Sequence, residues 1–133
     1  MNEGDVLPPV ERTITQDGIA KYAAASGDFN PIHVDEAFAA DSQFGGTIAH
    51  GMLVAAALSE VMSAAFGLDW LDSGRLKLRF RAPVFPGDTI TAYGVVKSVG
   101  EGEGTGEVVS SVGVRRQTGE DAITGEASVR VRR

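Results

Sequence analysis

Beyond Gly74 the chain alternates. Arg75, Lys77, Arg79 and Arg81 are interleaved with Leu76, Leu78 and Phe80, the two-residue repeat of a strand with one buried face. Pro83 to Gly87 breaks the pattern. Further strands are predicted over Asp88 to Val99, Glu107 to Arg116 and Ala122 to Arg132, with Gly100 to Gly106 and Gln117 to Asp121 as the hairpin turns. Upstream the period changes. From Ala49 to Phe66 the chain is rich in strong helix formers and apolar on nearly every face, which predicts a central, largely buried helix that stops at Gly67.

The first half carries weaker patterns. Within residues 1–14, Pro8-Pro9 is expected to forbid regular structure until a short strand near Glu11 to Ile14. Thr15 reads as the N-cap of a helix with Asp17 in its first turn, running through Ile19, Tyr22 and Ala23 and ending at Ser26-Gly27. Residues 28–48 read as mostly irregular, with a turn at Asn30-Pro31, a short helical piece around Asp35 to Ala40, and Gly45-Gly46 at the close. Loops of that length in compact domains are more often functional than accidental. Helices first and antiparallel strands afterwards imply an α+β fold. The simplest architecture is an antiparallel sheet wrapped around the long central helix.

At 133 residues the chain fits one domain, 1–133, large enough to bury a core without disulfides or metal. A 43% hydrophobic and 23% charged composition is ordinary for a globular protein. With no cysteine, disulfides, thiol catalysis and thiolate metal sites are excluded. Twelve basic against 18 acidic residues leave a net charge of −6, which argues against nucleic acid as the main partner. The N-terminus lacks a signal pattern, and the longest apolar stretch, Met52 to Leu58, is too short to span a bilayer. A soluble cytoplasmic protein with no membrane partner is expected.

Chemistry concentrates in Ser26-Gly27-Asp28-Phe29-Asn30-Pro31-Ile32-His33 and, seventeen residues on, His50-Gly51-Met52, which contain both histidines of the chain. Asp28 alone reads as a turn or cap residue, and His33 alone as a structural histidine. Together, with Asn30-Pro31 restricting the backbone between them, they can converge on one water molecule. His50 at a helix start can simply fix the loop. The Gly51 amide, free at a helix N-terminus, can bind a carbonyl oxygen and stabilise negative charge that grows on it. Ser59, in mid-helix, ordinarily bonds back to its own helix. The charged face of Arg75 to Arg81 reads as solvated, although it can receive phosphates. Gly100 to Gly106 lacks the Lys-Ser/Thr of a nucleotide loop. Two histidines at this spacing, without an HExxH pattern, disfavour a metal, and no serine stands in a nucleophile elbow.

At these residues the sequence resembles the R-specific enoyl-CoA hydratases, or MaoC-like dehydratases, of the hot-dog fold. The resemblance lies in residues 22–35 (Tyr22 to Asp35), 48–53 (Ile48 to Leu53) and 80–89 (Phe80 to Thr89), and order and spacing hold from about Gly4 to the C-terminus. It implies that Asp28 and His33 are the acid/base pair, with the Asp-x4-His spacing intact. The carbonyl-binding amide falls on Gly51, and a serine lining the site in some members falls on Ser59. Asn30 and His50 join Gly51 and Ser59 as expected substrate-binding positions. The implied reaction is reversible hydration of a trans-2-enoyl-CoA to the (3R)-3-hydroxyacyl-CoA, with no cofactor and no metal. The implied partners are an acyl-CoA or acyl-carrier-protein thioester and a second copy of the chain, as a homodimer. The alternatives are a (3R)-hydroxyacyl-carrier-protein dehydratase subunit, a hot-dog thioesterase, and a non-catalytic acyl-thioester binder.

Overall fold

The computed structural model describes residues 1–100 and 105–132. In chain order the elements are β1 (Val6–Thr13), α1 (Gln16–Ser26), α2 (Pro31–Val34), α3 (Glu36–Ala40), α4 (Gly51–Phe66), α5 (Leu68–Ser73), β2 (Arg75–Phe80), β3 (Thr89–Val99), β4 (Thr105–Arg116) and β5 (Asp121–Arg132). The strands form one antiparallel sheet in the order β1-β3-β4-β5-β2. The expected arrangement is present: a sheet wrapped around a helix, the hot-dog fold.

Alternation along the strands decides where the core sits. Ile90, Ala92 and Val96 on β3, Val108, Val112 and Val114 on β4, and Ala127 and Val129 on β5 are buried on one face. Against them α4 lays Val54, Leu58, Val61 and Met62. Each such side chain contributes roughly 1.5–3 kcal/mol by leaving water, so this one helix carries much of the cohesion. No helix among the described residues is long and apolar enough to cross a membrane.

Three local expectations need correction. Pro8-Pro9 lies inside β1 rather than before it, because β1 is an edge strand whose register shifts between Leu7 and Val10. A bulged edge needs no N–H donor from those positions, so two prolines cost it little. The turn expected at Asn30-Pro31 is instead the start of a short helix: Asn30 caps α2 by accepting the Ile32 amide at 3.1 Å, and Pro31 occupies the first helical position, where its missing N–H is not needed. The helical piece expected around Asp35 to Ala40 is α3, and residues 41–50 carry neither helix nor strand. The expected stop at Gly67 stands: at φ 56° this residue ends α4 and at once starts α5, an element the pattern did not announce, which anchors the buried Trp70. Finally, β4 already begins at Thr105, within the glycine-rich stretch read as a turn, and residues 101–104 of that stretch lie outside the described residues. The second predicted turn stands, with Gly119 at φ 87°.

Candidate active site

The loop that carries Asp28 is shaped by its own side chains. Gly27 adopts φ 78° and closes α1 by donating to the Ala23 carbonyl, turning the chain sharply. The Ser26 hydroxyl accepts the Asp28 amide at 3.2 Å, and Asp28 Oδ1 accepts the Asn30 amide at 3.2 Å. Short polar side chains that take up nearby amides in this way hold a turn without help from regular structure. Asn30 is thus spent on capping α2, and the structure gives it a backbone-shaping position.

His33 sits on α2 and is braced from three directions. Its Nδ1 lies 2.7 Å from the Ile48 carbonyl, and the Ile48 amide returns a bond to the Ile32 carbonyl at 3.1 Å. Gln16, the first residue of α1, donates to the His33 carbonyl at 2.9 Å and accepts the buried Thr47 hydroxyl at 2.6 Å. A carbonyl can only accept, so His33 carries a proton on Nδ1 and turns Nε2 toward Asp28. The gap from that Nε2 to Asp28 Oδ2 is 4.0 Å. That is too long for a direct hydrogen bond. Two acceptors bridged by one water through bonds of about 2.8 Å stand roughly 4–4.5 Å apart, so the gap has the width of a shared water. The His33 side chain is 12% exposed and that of Asp28 is 52% exposed, so the pair faces outward while its histidine stays fixed.

His50 and Gly51 open α4. The His50 residue is only 2% exposed, and its ring stacks on that of His33 with centroids 3.9 Å apart and planes at 26°. Its Nε2 meets the Asp28 carbonyl at 2.9 Å, and the Tyr22 ring is tilted against it with centroids 4.8 Å apart. The structure therefore puts His50 behind the pair rather than in the cleft. The Gly51 amide finds no acceptor among the described residues, as expected for the first residue of a helix, where N–H groups and the dipole favour negative charge. A Cβ at Gly51 would meet the Phe80 ring at 2.8 Å, so only glycine lets the ring lie this close to the amide.

His33, Gly51 and Phe80 line one cleft of about 390 Å³, whose walls include Ile48, Val54, Val84 and Ile123 and whose rim carries Arg81. An apolar trough with a free amide and an imidazole at one end suits a linear acyl group bearing one polarisable carbonyl. Ser59 is half-buried, two turns further along α4 and outside that cleft. The structure thus joins Asp28, His33, His50 and Gly51, and leaves Ser59 and the side chain of Asn30 apart from them. Phe80 and Tyr22 are parts of this site that residue type alone did not reveal. Phe80 lies in the alternating strand, and its 57% exposure at that apolar position is visible only in three dimensions.

The ligand atoms of Asp28, His33 and His50 fall within 4.8 Å of one another, a grouping that a metal can use. The ring geometry opposes it. Ring lone pairs lie in the ring planes, and two stacked rings direct theirs side by side rather than at a common point. One nitrogen of each ring is moreover taken by a backbone carbonyl, so the three groups are better suited to holding a hydrogen-bonded solvent molecule.

A second polar cluster secures the far wall. Asp88 accepts from the Phe85 amide, from Arg116 through two nitrogens, and from Gln117, at 2.8 to 3.1 Å. Burial alone would raise its pKa, but the bonds from Arg116, Phe85 and Gln117 together hold it below the ordinary 3.8. This clasp pins the 83–87 turn, whose Val84 carbonyl takes the Ala49 amide at 2.8 Å just before His50-Gly51.

The chain matches the family model described as MaoC like domain over residues 2–118. It is 38% identical over 114 residues to an (R)-specific enoyl-CoA hydratase of Aeromonas caviae, covering 85% of this chain and 83% of the relative. It is 36% identical over 97 residues to a mitochondrial 3-hydroxyacyl-[acyl-carrier-protein] dehydratase of Arabidopsis thaliana, covering 72% of this chain and 55% of that protein. Among solved structures, the (R)-hydratase from A. caviae involved in PHA biosynthesis superimposes with a TM-score of 0.83 at 32% identity, over 98% of this chain and 97% of that one.

Proposed function

This chain belongs to the MaoC-like dehydratase family and is a hydro-lyase, and from that premise we propose that it adds water reversibly to trans-2-enoyl-CoA thioesters, giving the (3R)-3-hydroxyacyl products. The observation that carries the reading is the 4.0 Å gap between Asp28 Oδ2 and Nε2 of His33, beside a cleft that also exposes the Gly51 amide.

In this reading the thioester carbonyl accepts the Gly51 N–H. The α4 dipole and that donor stabilise the enolate that forms when water attacks C3. Water between Asp28 and His33 donates a hydrogen to each and keeps an oxygen lone pair for the attack. Its hydroxyl forms the new C–O bond at C3, and the displaced π electrons move to C2 and the carbonyl. The proton it gives up rests on the pair and is then delivered to C2, so the pair ends as it began. Donation from a preorganised amide is worth roughly 3–4 kcal/mol of transition-state energy, and proton handling by the pair about 10²–10⁴-fold.

Ser59, about 12 Å further along the α4 axis than Gly51, is proposed to flank the distal part of the acyl chain, and Asn30 to hold the loop under it. The exposed Met52 and Phe80 beside Gly51, 64% and 57% accessible in one protomer, and the open edge of β2 support a homodimer that closes the cleft. Sedimentation of the pure protein as a dimer is expected.

The Arabidopsis relative supports a second reading, dehydration of acyl-carrier-protein thioesters, because both carriers present the same thioester to the cleft. The test is turnover of pure protein on enoyl-CoAs of increasing chain length against the matching carrier-protein thioesters. Fast hydration of the CoA series without release of free thiol is expected. Turnover of the carrier-protein series alone would favour the second reading, and thiol release would refute both.

A further inference from the structure

We propose that His50 is a positioning residue, one imidazole that sets the spacing of the reactive pair by bonding to the backbone of one member and stacking on the ring of the other. The inference rests on the functional reading above, but its geometry stands independently. Apart from the distant His33, the hydrogen bonds that hold Asp28 among the described residues come from within its own loop, namely Ser26 and Asn30, with one exception. The exception is the 2.9 Å contact of His50 Nε2 with the Asp28 carbonyl.

The ring that makes this bond is also the floor on which His33 lies, 3.9 Å away. A shift of His50 therefore moves Asp28 and His33 relative to each other, and the water gap with them. The carbonyl acceptor requires the proton on Nε2. Nδ1 of His50 is buried and finds no hydrogen-bond partner among the described residues, an omission that buried polar atoms seldom show. The ring is kept for what its Nε2 and its face do. His50 also leads directly into Gly51, so the same residue ties the carbonyl-binding amide to the pair.

Two substitutions separate these roles. His50→Phe keeps a flat ring under His33 but removes the donor. His50→Gln places an N–H the same number of bonds from Cα and loses the stacked ring. Displacement of a reacting group by about 1 Å costs up to about 10²-fold in rate. His50→Phe is expected to lower kcat by about that factor with KM within twofold, and His50→Gln to recover part of the loss through its restored donor, the remainder following from the missing ring. A wild-type kcat in His50→Phe, a raised KM at constant kcat, or a loss in both variants that merely follows their melting temperatures would overturn the proposal.

A readout without substrate comes from long-range nitrogen–proton NMR of the two rings in the wild-type protein. The proton is expected on Nε2 of His50 and on Nδ1 of His33, and a His50 ring protonated on Nδ1 alone would also overturn it. Should the wild type hydrate no enoyl thioester, the functional reading fails, while the ring protons still decide the geometry.

Discussion

Replacing Asp88 by Asn tests whether the clasp behind the site is a working part of the fold. The carboxylate receives four donors: the Phe85 amide, Nε and Nη2 of Arg116, and Gln117 Nε2. Its side chain is 7% exposed and that of Arg116 is 17% exposed, so solvent can do little to replace what is lost. An Asn has one acceptor oxygen and sets an NH₂ against donors on its other side. Gln117 cannot simply flip to accept, because its Oε1 already takes the Thr89 amide at 3.0 Å. Breaking a buried pair outright costs about 3–5 kcal/mol. Asn keeps part of the network, so a loss of about 2–4 kcal/mol is expected, or roughly 10 °C in melting temperature at this size. The pH dependence gives a second handle. Asp88 titrates below its ordinary 3.8 in the folded chain, so its contribution is full above that value and fades as pH falls through the lower folded one. The wild type and the variant should therefore differ most at neutral pH and converge in acid. Urea unfolding from neutral pH down to about pH 2 measures this. Equal stability at neutral pH, or a constant difference down to the lowest pH, would refute the reasoning.

Two predictions concern the cleft. Gly51→Ala brings a Cβ to 2.8 Å from the Phe80 ring, and withdrawal of the amide or the ring should lower kcat/KM by about 10–100-fold. Because Ala favours helix over Gly by about 1 kcal/mol, thermal melting should show no loss of stability, and Gly51→Ala with Phe80→Leu should regain activity in steady-state assays. His33→Ala should reduce hydration by about 10²–10⁴-fold, yet cost only about 1 kcal/mol of stability, since the Ile48 carbonyl loses a single donor. Calorimetry alongside kinetics separates the two effects.

The elements that the chain announces are those whose local chemistry agrees with their packing. Thr15 and Gly27 bracket α1, the apolar run from Ala49 marks α4, and the Arg75 to Arg81 alternation marks β2. Where tertiary context decides, the pattern misleads. Two prolines look like a strand breaker until β1 proves to be a bulged edge, and Asn30-Pro31 reads as a turn although the same pair caps and starts α2. The site follows the same rule. The Asp28–His33 spacing is local and legible. The stacking of His50 on His33, the Phe80 ring over Gly51 and the Asp88 clasp join residues far apart in the chain, and no spacing within one segment encodes them.

The proposed mechanism turns on one solvent molecule held between Asp28 and His33, whose side chains stand 4.0 Å apart. Its most direct test is the rate at which pure Asp28→Asn protein removes the conjugated double bond of crotonyl-CoA, followed by absorbance beside the wild type. Because Asp28 is half exposed, Asn there should fold normally, and the expected result is an unchanged melting temperature with a rate lower by about 10²–10⁴-fold. A variant that hydrates crotonyl-CoA as fast as the wild type would contradict the account.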